Sequence, residues 1–374
     1  MKSIFRTVPL RSAHSAARVI CILAGVLIVV NQAAMGQAQP KPPSSGLINP
    51  GAIAYSPATG KVYAVDTGHG AVTIYDAANG AKHAVKVGAE PISLAVNTAN
   101  GMAYVANGGD GTVSVVDGHS DAVVATVRVG SHPYSIAANA KTGKVYVTHT
   151  YGDELSILDG ATNTASQLKT GSHDLIAIDD KTNTIYLLGY EGGTVSVVDG
   201  DHQTVRLEQA GNHAWGLKLD AETGTLYAAR IETEQVAALS PGASGATYLS
   251  AGKIPCAIAV NSKAGVLYVV NYGENSVSVV DAKNGRATAT VAVGDHPKGI
   301  AFDATRNLVY VANTLSGNVT VIDAATNTAL ATLPAGKNPY ALAVAPGSSK
   351  LYVANEWDDQ STMAVDLSGI HARQ

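Results

Sequence analysis

Residues 308–323 read LVYVANTLSGNVTVID, two apolar-rich runs separated by a polar loop that contains Gly317. Each run has the length of a strand, and each alternates apolar residues with small or polar ones. The β-branched residues and Tyr310 favour extended backbone. A short polar loop with glycine suits the turn between two antiparallel strands. The stretch therefore predicts a β-hairpin.

The hairpin is one copy of a repeat. A tyrosine recurs every 40 to 42 residues, at Tyr63, Tyr104, Tyr146, Tyr186, Tyr227, Tyr268, Tyr310 and Tyr352. A second series follows in register, at Asp76, Asp117, Asp159, Asp199, Ser240, Asp281, Asp323 and Asp366. Turn clusters such as NTANG, NAKTG and DAETG precede the tyrosines. Because every unit carries the tyrosine and all but the fifth carry the aspartate, we interpret both as structural, the aspartates in turns that bond the backbone two residues on.

Each unit reads as four short strands, a to d, which in the seventh unit are GIAFD, LVYVAN, NVTVID and ALATLPAG. Four-stranded sheets with a period in the low forties bury both faces when they stack around an axis. The sequence therefore predicts an all-β fold, a β-propeller of eight four-stranded antiparallel blades, or seven if the first or last set is degenerate. Only seven complete d strands lie between the eight a–b–c sets. The closing strand is expected from residues 40–47 or from residues after Gly369.

The motifs VYVAN, VSVVD and VGDHPKGIA, in this order and spacing, resemble the YVTN family of β-propeller repeat proteins. The resemblance extends from Gly51 to Asp366. It implies an exported or cell-surface propeller and leaves the ligand undefined. The fifth unit departs from the pattern with LYAARIETEQVAALS, so its blade is expected to be irregular.

The N-terminal residues 1–36 have the layout of a secretory signal peptide, with four basic residues before the apolar run 19–30 and small residues after it. A retained membrane anchor is the alternative, although twelve apolar residues are few for a bilayer span. We expect residues 37–50 to form an N-terminal segment and residues 51–374 a single propeller domain. The expected location is the periplasm, the medium or the cell surface, with no stable membrane insertion after cleavage.

The chain has 25 basic and 29 acidic residues, and losing the leader's four basic residues leaves 21 against 29, a net charge of −8. An acidic body is a poor partner for nucleic acid or anionic lipid. Cys256 would be the single cysteine of the processed chain, which excludes an internal disulfide. Its apolar surroundings predict a buried inert thiol rather than a nucleophile.

Histidines precede strand a in four units, as in VGSHPYSIA at residues 129–137. In the predicted topology they lie near the axis, on the face formed by the b–c and d–a loops. We expect a ligand site there with His132, His173, His213, His296 and Glu90, and with Tyr134, Trp215 and Tyr340 as walls. His132, His173 and His213 are the expected ligands of a divalent transition metal such as zinc. The competing interpretation is a turn preference, in which each ring bonds a neighbouring loop.

The same face carries an excess of acids in its b–c loops, against the single Arg230. They are Asp66, Asp110, Asp153, Glu154, Glu191, Glu232, Glu234, Glu274, Glu356, Asp358 and Asp359. With Tyr151, Tyr190, Tyr272 and Trp357 among them, they suit a cationic small molecule, a basic peptide or a metal. A solvated polar rim is the alternative.

Linear catalytic signatures are missing from the sequence, which has no G-x-S-x-G elbow, H-E-x-x-H pair or phosphate loop. The sequence therefore favours a non-catalytic binding propeller with an undefined small-molecule or protein partner and no assigned catalytic residue. The alternative is a lyase, a lactonase or a metal-dependent oxidoreductase that uses the histidines as metal ligands or as a general base.

Overall fold

Antiparallel sheets make up almost all of the computed structural model, which describes residues 50–189, 193–211, 213–356 and 362–372. Eight sheets follow one another along the chain, and the strands of each sheet are hydrogen-bonded in chain order. The predicted eight-bladed propeller is confirmed, and the seven-bladed alternative is wrong.

A short 3-10 turn at Pro50–Ala52 precedes the first blade. Strands a to d of the first four blades are as follows. Blade 1 comprises Ile53–Ser56, Lys61–Asp66, Ala71–Asp76 and Lys82–Lys86. Blade 2 comprises Pro91–Val96, Met102–Asn107, Thr112–Asp117 and Ala122–Arg128. Blade 3 comprises Pro133–Ala138, Lys144–His149, Glu154–Asp159 and Thr164–Lys169. Blade 4 comprises Leu175–Asp179, Thr184–Leu188, Thr194–Asp199 and Thr204–Gln209.

The second half of the ring repeats this order. Blade 5 comprises Ala214–Leu219, Leu226–Arg230, Gln235–Leu239 and Thr247–Ser250. Blade 6 comprises Pro255–Asn261, Val266–Asn271, Ser276–Asp281 and Ala287–Ala292. Blade 7 comprises Pro297–Asp303, Leu308–Asn313, Asn318–Asp323 and Thr328–Pro334. Blade 8 comprises Pro339–Val344, Lys350–Asn355 and Thr362–Asp366.

The core lies between the blades. Strands b and c are buried along their length, strand d is largely exposed, and strand a lies nearest the axis. The strands a of neighbouring blades contact each other around the ring, and those of blades 8 and 1 close it. At that closure Tyr75 Oη donates a 2.8 Å hydrogen bond to the carbonyl oxygen of Thr362, and the Tyr75 and Tyr352 rings lie 5.3 Å apart.

The repeated tyrosines of strand b connect one blade to the next. The Tyr63 hydroxyl approaches Gly118, in the c–d turn of blade 2, so closely that a Cβ at that position would lie 2.3 Å from it. Tyr268 donates to the carbonyl of Ala324 in the turn of blade 7, at 3.4 Å. These contacts support the structural interpretation of the tyrosines.

The repeated aspartates of strand c form the expected turns. Asp117 Oδ1 accepts the amide of His119 at 2.9 Å, and Asp281 Oδ1 accepts that of Lys283 at 2.8 Å. Equivalent bonds to the residue two positions on occur at Asp76, Asp159, Asp199, Asp323 and Asp366. The amide of His119 stabilises the carboxylate of Asp117, so it holds the pKa of that carboxyl below its usual value.

Two expectations concern incomplete blades. Blade 5, which lacks the repeated Asn and Asp, is still a four-stranded sheet, with a short strand d of four residues. Blade 8 has three strands within the described residues, and no strand follows Asp366 in the described tail to residue 372. The other source of the closing strand, residues 40–47, lies outside the described residues, as does the signal peptide.

Within the described ranges, the structure contains no helix with the length and apolar character needed to cross a membrane.

Candidate functional site

The turn before strand a is defined by its backbone. In six blades its key residue has φ between 48° and 55°; these residues are Glu90, His132, His213, Ile254, His296 and Asn338. The carbonyl of each accepts the amide of the residue 18 positions on, at 2.9 to 3.1 Å, from Gly108, Thr150, Ile231, Tyr272, Thr314 and Glu356 respectively. The turn requires a left-handed residue and one carbonyl, which glutamate, histidine, isoleucine and asparagine all supply.

His173 does not occupy this turn position. It lies 13 residues before Tyr186, whereas the other histidines lie 14 residues before the tyrosine of their blade. Strand a of blade 4 consequently pairs with strand b without the register shift that the six blades with a left-handed residue show. The alignment of His173 with the other histidines is therefore displaced by one residue.

The His173 ring is buried, with 7% exposure, and its Nε2 donates to the carbonyl of Thr170 at 2.9 Å. Burial lowers its pKa, because the charged imidazolium would lose its hydration. Its Nδ1 is buried without a hydrogen-bond partner among the described residues. His173 is thus a neutral core histidine in this structure.

The remaining members of the predicted set lie apart. Glu90 and His132 are exposed, and His213 Nδ1 lies 2.8 Å from Glu232 Oε2. Within the described ranges, no three His, Cys, Asp or Glu side chains are close enough together to hold a metal ion. The structure therefore does not group His132, His173 and His213 as metal ligands.

A cavity of about 360 Å³ does lie at the axis, enclosed by the strands a of blades 5 to 8. Residues from both ends of these strands line it, so the cavity runs along the axis. The polar and aromatic members of its lining are Trp215, Lys218, Cys256, Lys298, Phe302 and Tyr340. Two predicted wall residues, Trp215 and Tyr340, are thus brought together. The third, Tyr134, is buried in blade 3 and is not part of the lining.

Aromatic contacts connect one end of the cavity to the loop face. The Trp215 and Tyr272 rings lie 6.1 Å apart, edge to face, and Tyr272 meets the His296 ring at 4.9 Å in the same geometry. Beside them Lys298 Nζ lies 3.3 Å from Glu356 Oε2. Of the predicted site residues, His296, Trp215 and Tyr340 therefore belong to one region.

Lys218 is the lining residue that sequence reasoning missed. Its side chain reaches the water of the cavity but is surrounded by protein, and this loss of hydration lowers the pKa of its ammonium group, which Asp220 partly opposes. The sequence signal was available: counting back nine residues from each strand-b tyrosine gives alanine in seven units and lysine in the fifth.

Cys256 is fully buried, and its Sγ lies 3.6 Å from the carbonyl of Pro297. Burial raises the pKa of the thiol to about 12, so the thiolate needed for nucleophilic attack is scarce at neutral pH. The structure supports the prediction of an inert thiol.

Several acids of the b–c loops are held by nearby cations or amides. Asp66 bonds His69, Asp153 lies 3.1 Å from Lys169 Nζ, and Glu356 lies beside Lys298. Glu191, Asp358 and Asp359 lie outside the described residues, together with Tyr190 and Trp357. Of the eight described rim acids, Asp153 and Glu356 are therefore paired with lysines, and Asp66 and Glu232 contact histidines.

The comparisons with known proteins support the fold. Residues 229–363 match a family model described as YNCE-like beta-propeller. No curated protein sequence matches the chain significantly. Among solved structures, hydrazine synthase of Kuenenia stuttgartiensis is similar with a TM-score of 0.59 and 17% identity, over 88% of this chain and 99% of that chain. Dihydro-heme d1 dehydrogenase NirN, in complex with DHE, is similar with a TM-score of 0.66 and 14% identity, over 79% of this chain and 68% of that chain.

At these identities the two structural likenesses concern the fold alone. The family match covers blades 6 and 7 with parts of blades 5 and 8, the same blades that enclose the axial cavity. The predicted resemblance is confirmed: residues 229–363 match the YNCE-like beta-propeller model, and the described chain folds as a β-propeller.

Proposed function

We propose that the protein is an exported, non-catalytic β-propeller that binds a ligand or a protein partner at the b–c and d–a loop face. The observation that supports this most directly is the axial cavity with Trp215 and Tyr340 in its wall. Ligand sites are typically concave and mostly apolar, with a few polar groups that fix orientation. Alanine, isoleucine, leucine and valine supply ten of the eighteen lining residues, and two lysines and backbone groups add polar surface to the wall.

A binding role without catalysis agrees with the state of the reactive groups. Cys256 is a thiol with a raised pKa, and the buried His173 ring bonds a backbone carbonyl. His132 and His213 occupy a turn that needs their backbone. None of these groups is in the cavity as an accessible base or nucleophile, which leaves recognition as the simplest use of the site.

Export is proposed from the basic, apolar and small-residue layout of residues 1–36. The net charge of −8 on the processed chain argues against nucleic acid as the partner. N-terminal sequencing of the extracted protein checks the first point: a start between Gln37 and Gln39 supports export with cleavage, and an intact Met1 contradicts it.

Catalysis is the second candidate, because the two structural neighbours reported above are named as enzymes, a synthase and a dehydrogenase. The form of catalysis expected from the sequence was a lyase, a lactonase or a metal-dependent oxidoreductase. Metal analysis of the purified protein tests the metal-dependent form. Stoichiometric zinc that disappears in a His173→Ala variant would support metal-dependent catalysis, and metal-free wild-type protein would contradict it.

The binding function is tested with a fragment library that contains cationic, neutral and anionic members. Binding is measured by thermal shift on the wild type, on Trp215→Ala and on Tyr151→Ala. Tyr151 is 91% exposed on the same loop face and does not line the cavity, so it is a matched control. Binding lost only in Trp215→Ala supports the axial site. Equal binding by all three proteins, or none by the wild type, contradicts it.

A further inference from the structure

Lys218 interrupts a ring of alanines around the propeller axis. In each blade the strand-b tyrosine pairs with one residue of strand a, and in seven blades that residue is Ala54, Ala95, Ala137, Ala177, Ala259, Ala301 or Ala343. In blade 5, Tyr227 pairs with Lys218. The register makes these eight positions equivalent, so the lysine is a single cationic side chain among small apolar ones.

The strands next to this ring are tightly packed two positions earlier. The strands a converge at the axis, and a Cβ at Gly216, two positions before Lys218, would lie 2.4 Å from the backbone oxygen of Cys256 in the next blade. A similar clash, also at 2.4 Å, would arise between Gly299 and the backbone of Tyr340. At position 218 the cavity receives the long side chain of the lysine. Packing between blades gives no reason for its length.

The Lys218 ammonium has no ion pair or hydrogen bond within the described part of the chain. The nearest acid that affects it, Asp220, is engaged elsewhere: its carboxylate accepts Ser262 Oγ at 2.6 Å, Thr223 Oγ1 at 2.9 Å and the amide of Glu222 at 3.0 Å. The second cation of the lining, Lys298, is paired with Glu356. Cys256 and Tyr340, the other titratable lining groups, are neutral at physiological pH because burial raises both pKa values.

The cavity thus contains one lysine without a direct ion pair, on a wall that combines polar and apolar groups. Enclosed charges are stabilised by a partner of opposite sign, and a carboxylate also accepts the ammonium protons as charge-assisted hydrogen bonds. One cation matches one anionic group, and the aliphatic and aromatic lining matches an apolar remainder.

We propose that the axial cavity binds a small apolar monocarboxylate, with Lys218 as its counter-charge. This inference rests on the proposed binding function and reverses the ligand charge that the acidic rim suggested. The ligand charge follows from the cavity lining, where Lys218 has no direct ion pair and the rim acid Glu356 is paired with Lys298.

The test compares three probes of similar shape and different charge, benzoate, benzamide and benzylamine, by isothermal titration calorimetry. Wild type is expected to bind benzoate most tightly. Lys218→Ala should weaken benzoate binding by about tenfold or more and leave benzamide unchanged, because a charged hydrogen bond is lost. Lys218→Arg should retain benzoate binding. Lys253→Ala is the matched control, since Lys253 is an exposed lysine in the loop before strand a of blade 6.

Lys218→Ala is expected to fold, since it places the residue of the other seven blades in the ring; its melting temperature checks this. A second readout follows protons. Burial lowers the pKa of the Lys218 ammonium and a bound anion would stabilise its charged form, so benzoate binding should take up more protons in the wild type than in Lys218→Ala, which titration in buffers of different ionisation enthalpy measures.

The outcomes separate the two proposals. Benzoate binding that is unaffected by Lys218→Ala, or preference for benzylamine, overturns the anion assignment while leaving a binding cavity in place. If none of the probes nor any library fragment binds in a Trp215-dependent way, the proposed function itself fails.

Discussion

The amide of Thr150 donates a 3.0 Å hydrogen bond to the carbonyl oxygen of His132, and φ of 49° at His132 directs that carbonyl toward it. The same pair of features occurs in five other blades, with four residue types at the histidine position. The bond joins the loop before strand a to the loop after strand b, and so fixes the shape of the site face. The backbone requirement of this turn is therefore enough to explain His132, and no bound ligand is needed.

The first prediction concerns this turn. His132→Asn should leave the free energy of unfolding nearly unchanged, because asparagine tolerates a left-handed backbone. His132→Val should lower it by about 1 kcal/mol, because a β-branched residue is strained there. Urea unfolding measures both. His119→Val, in an exposed turn without positive φ, is the control and should have little effect. Equal losses for Asn and Val would show that the imidazole itself is needed.

The second prediction concerns pH. Burial holds the pKa of His173 in the folded protein below its usual value of 6.5. The stability that the neutral imidazole contributes is therefore complete above about pH 6.5 and is lost as the pH falls below it. His173→Gln should therefore unfold with a shallower pH dependence than the wild type just below pH 6.5. Burial also lowers the pKa of His149, so the stability of the variant still depends on pH. Parallel curves of unfolding free energy against pH for the two proteins would contradict a lowered pKa of His173.

The fold was predictable because its signals repeat. The tyrosine of strand b and the aspartate of strand c each recur around the ring, and both act within or between neighbouring blades, as Tyr63 and Asp117 illustrate. Such local contacts leave a period in the sequence. The blade count followed directly from that period, and even blade 5 folds as a sheet without the Asn and Asp.

The site was less predictable because it depends on departures from the repeat. His173 aligned with the other histidines by motif, but strand a of blade 4 lacks the register shift, which moves the residue into the core. Lys218 carried no motif, and its departure from the repeat shows only when the units are aligned by their strand-b tyrosines, an alignment that strand pairing supports. Trp215 and Tyr340 were found because aromatic residues near the axis are informative even with an approximate register.

The third prediction exploits a residue poorly suited to its turn. Ile254 has φ of 51°, which disfavours β-branched side chains. Ile254→Asn should raise the free energy of unfolding by about 1 kcal/mol, since asparagine relieves the backbone strain. The reciprocal Asn338→Ile change, at φ of 51° in blade 8, should lower it by a similar amount. Thermal and urea unfolding of both variants test this. Destabilisation by Ile254→Asn would mean that the contact of Ile254 with the neighbouring loop outweighs the strain.

The fourth prediction concerns closure of the ring. Strand c of blade 8, Thr362–Asp366, is paired on one side by strand b, and the described tail after it forms no strand, although Ile370 and Ala372 pack against the core. We expect residues 40–47 to pair with its outer edge. Deleting residues 39–48 should expose that edge and cause aggregation or a clear loss of melting temperature, because unpaired strand edges associate. Deleting residues 371–374 is the comparison and should have the smaller effect. The reverse order of effects, with normal melting after the N-terminal deletion, would assign closure to the C-terminal tail and leave the N-terminal segment outside the propeller.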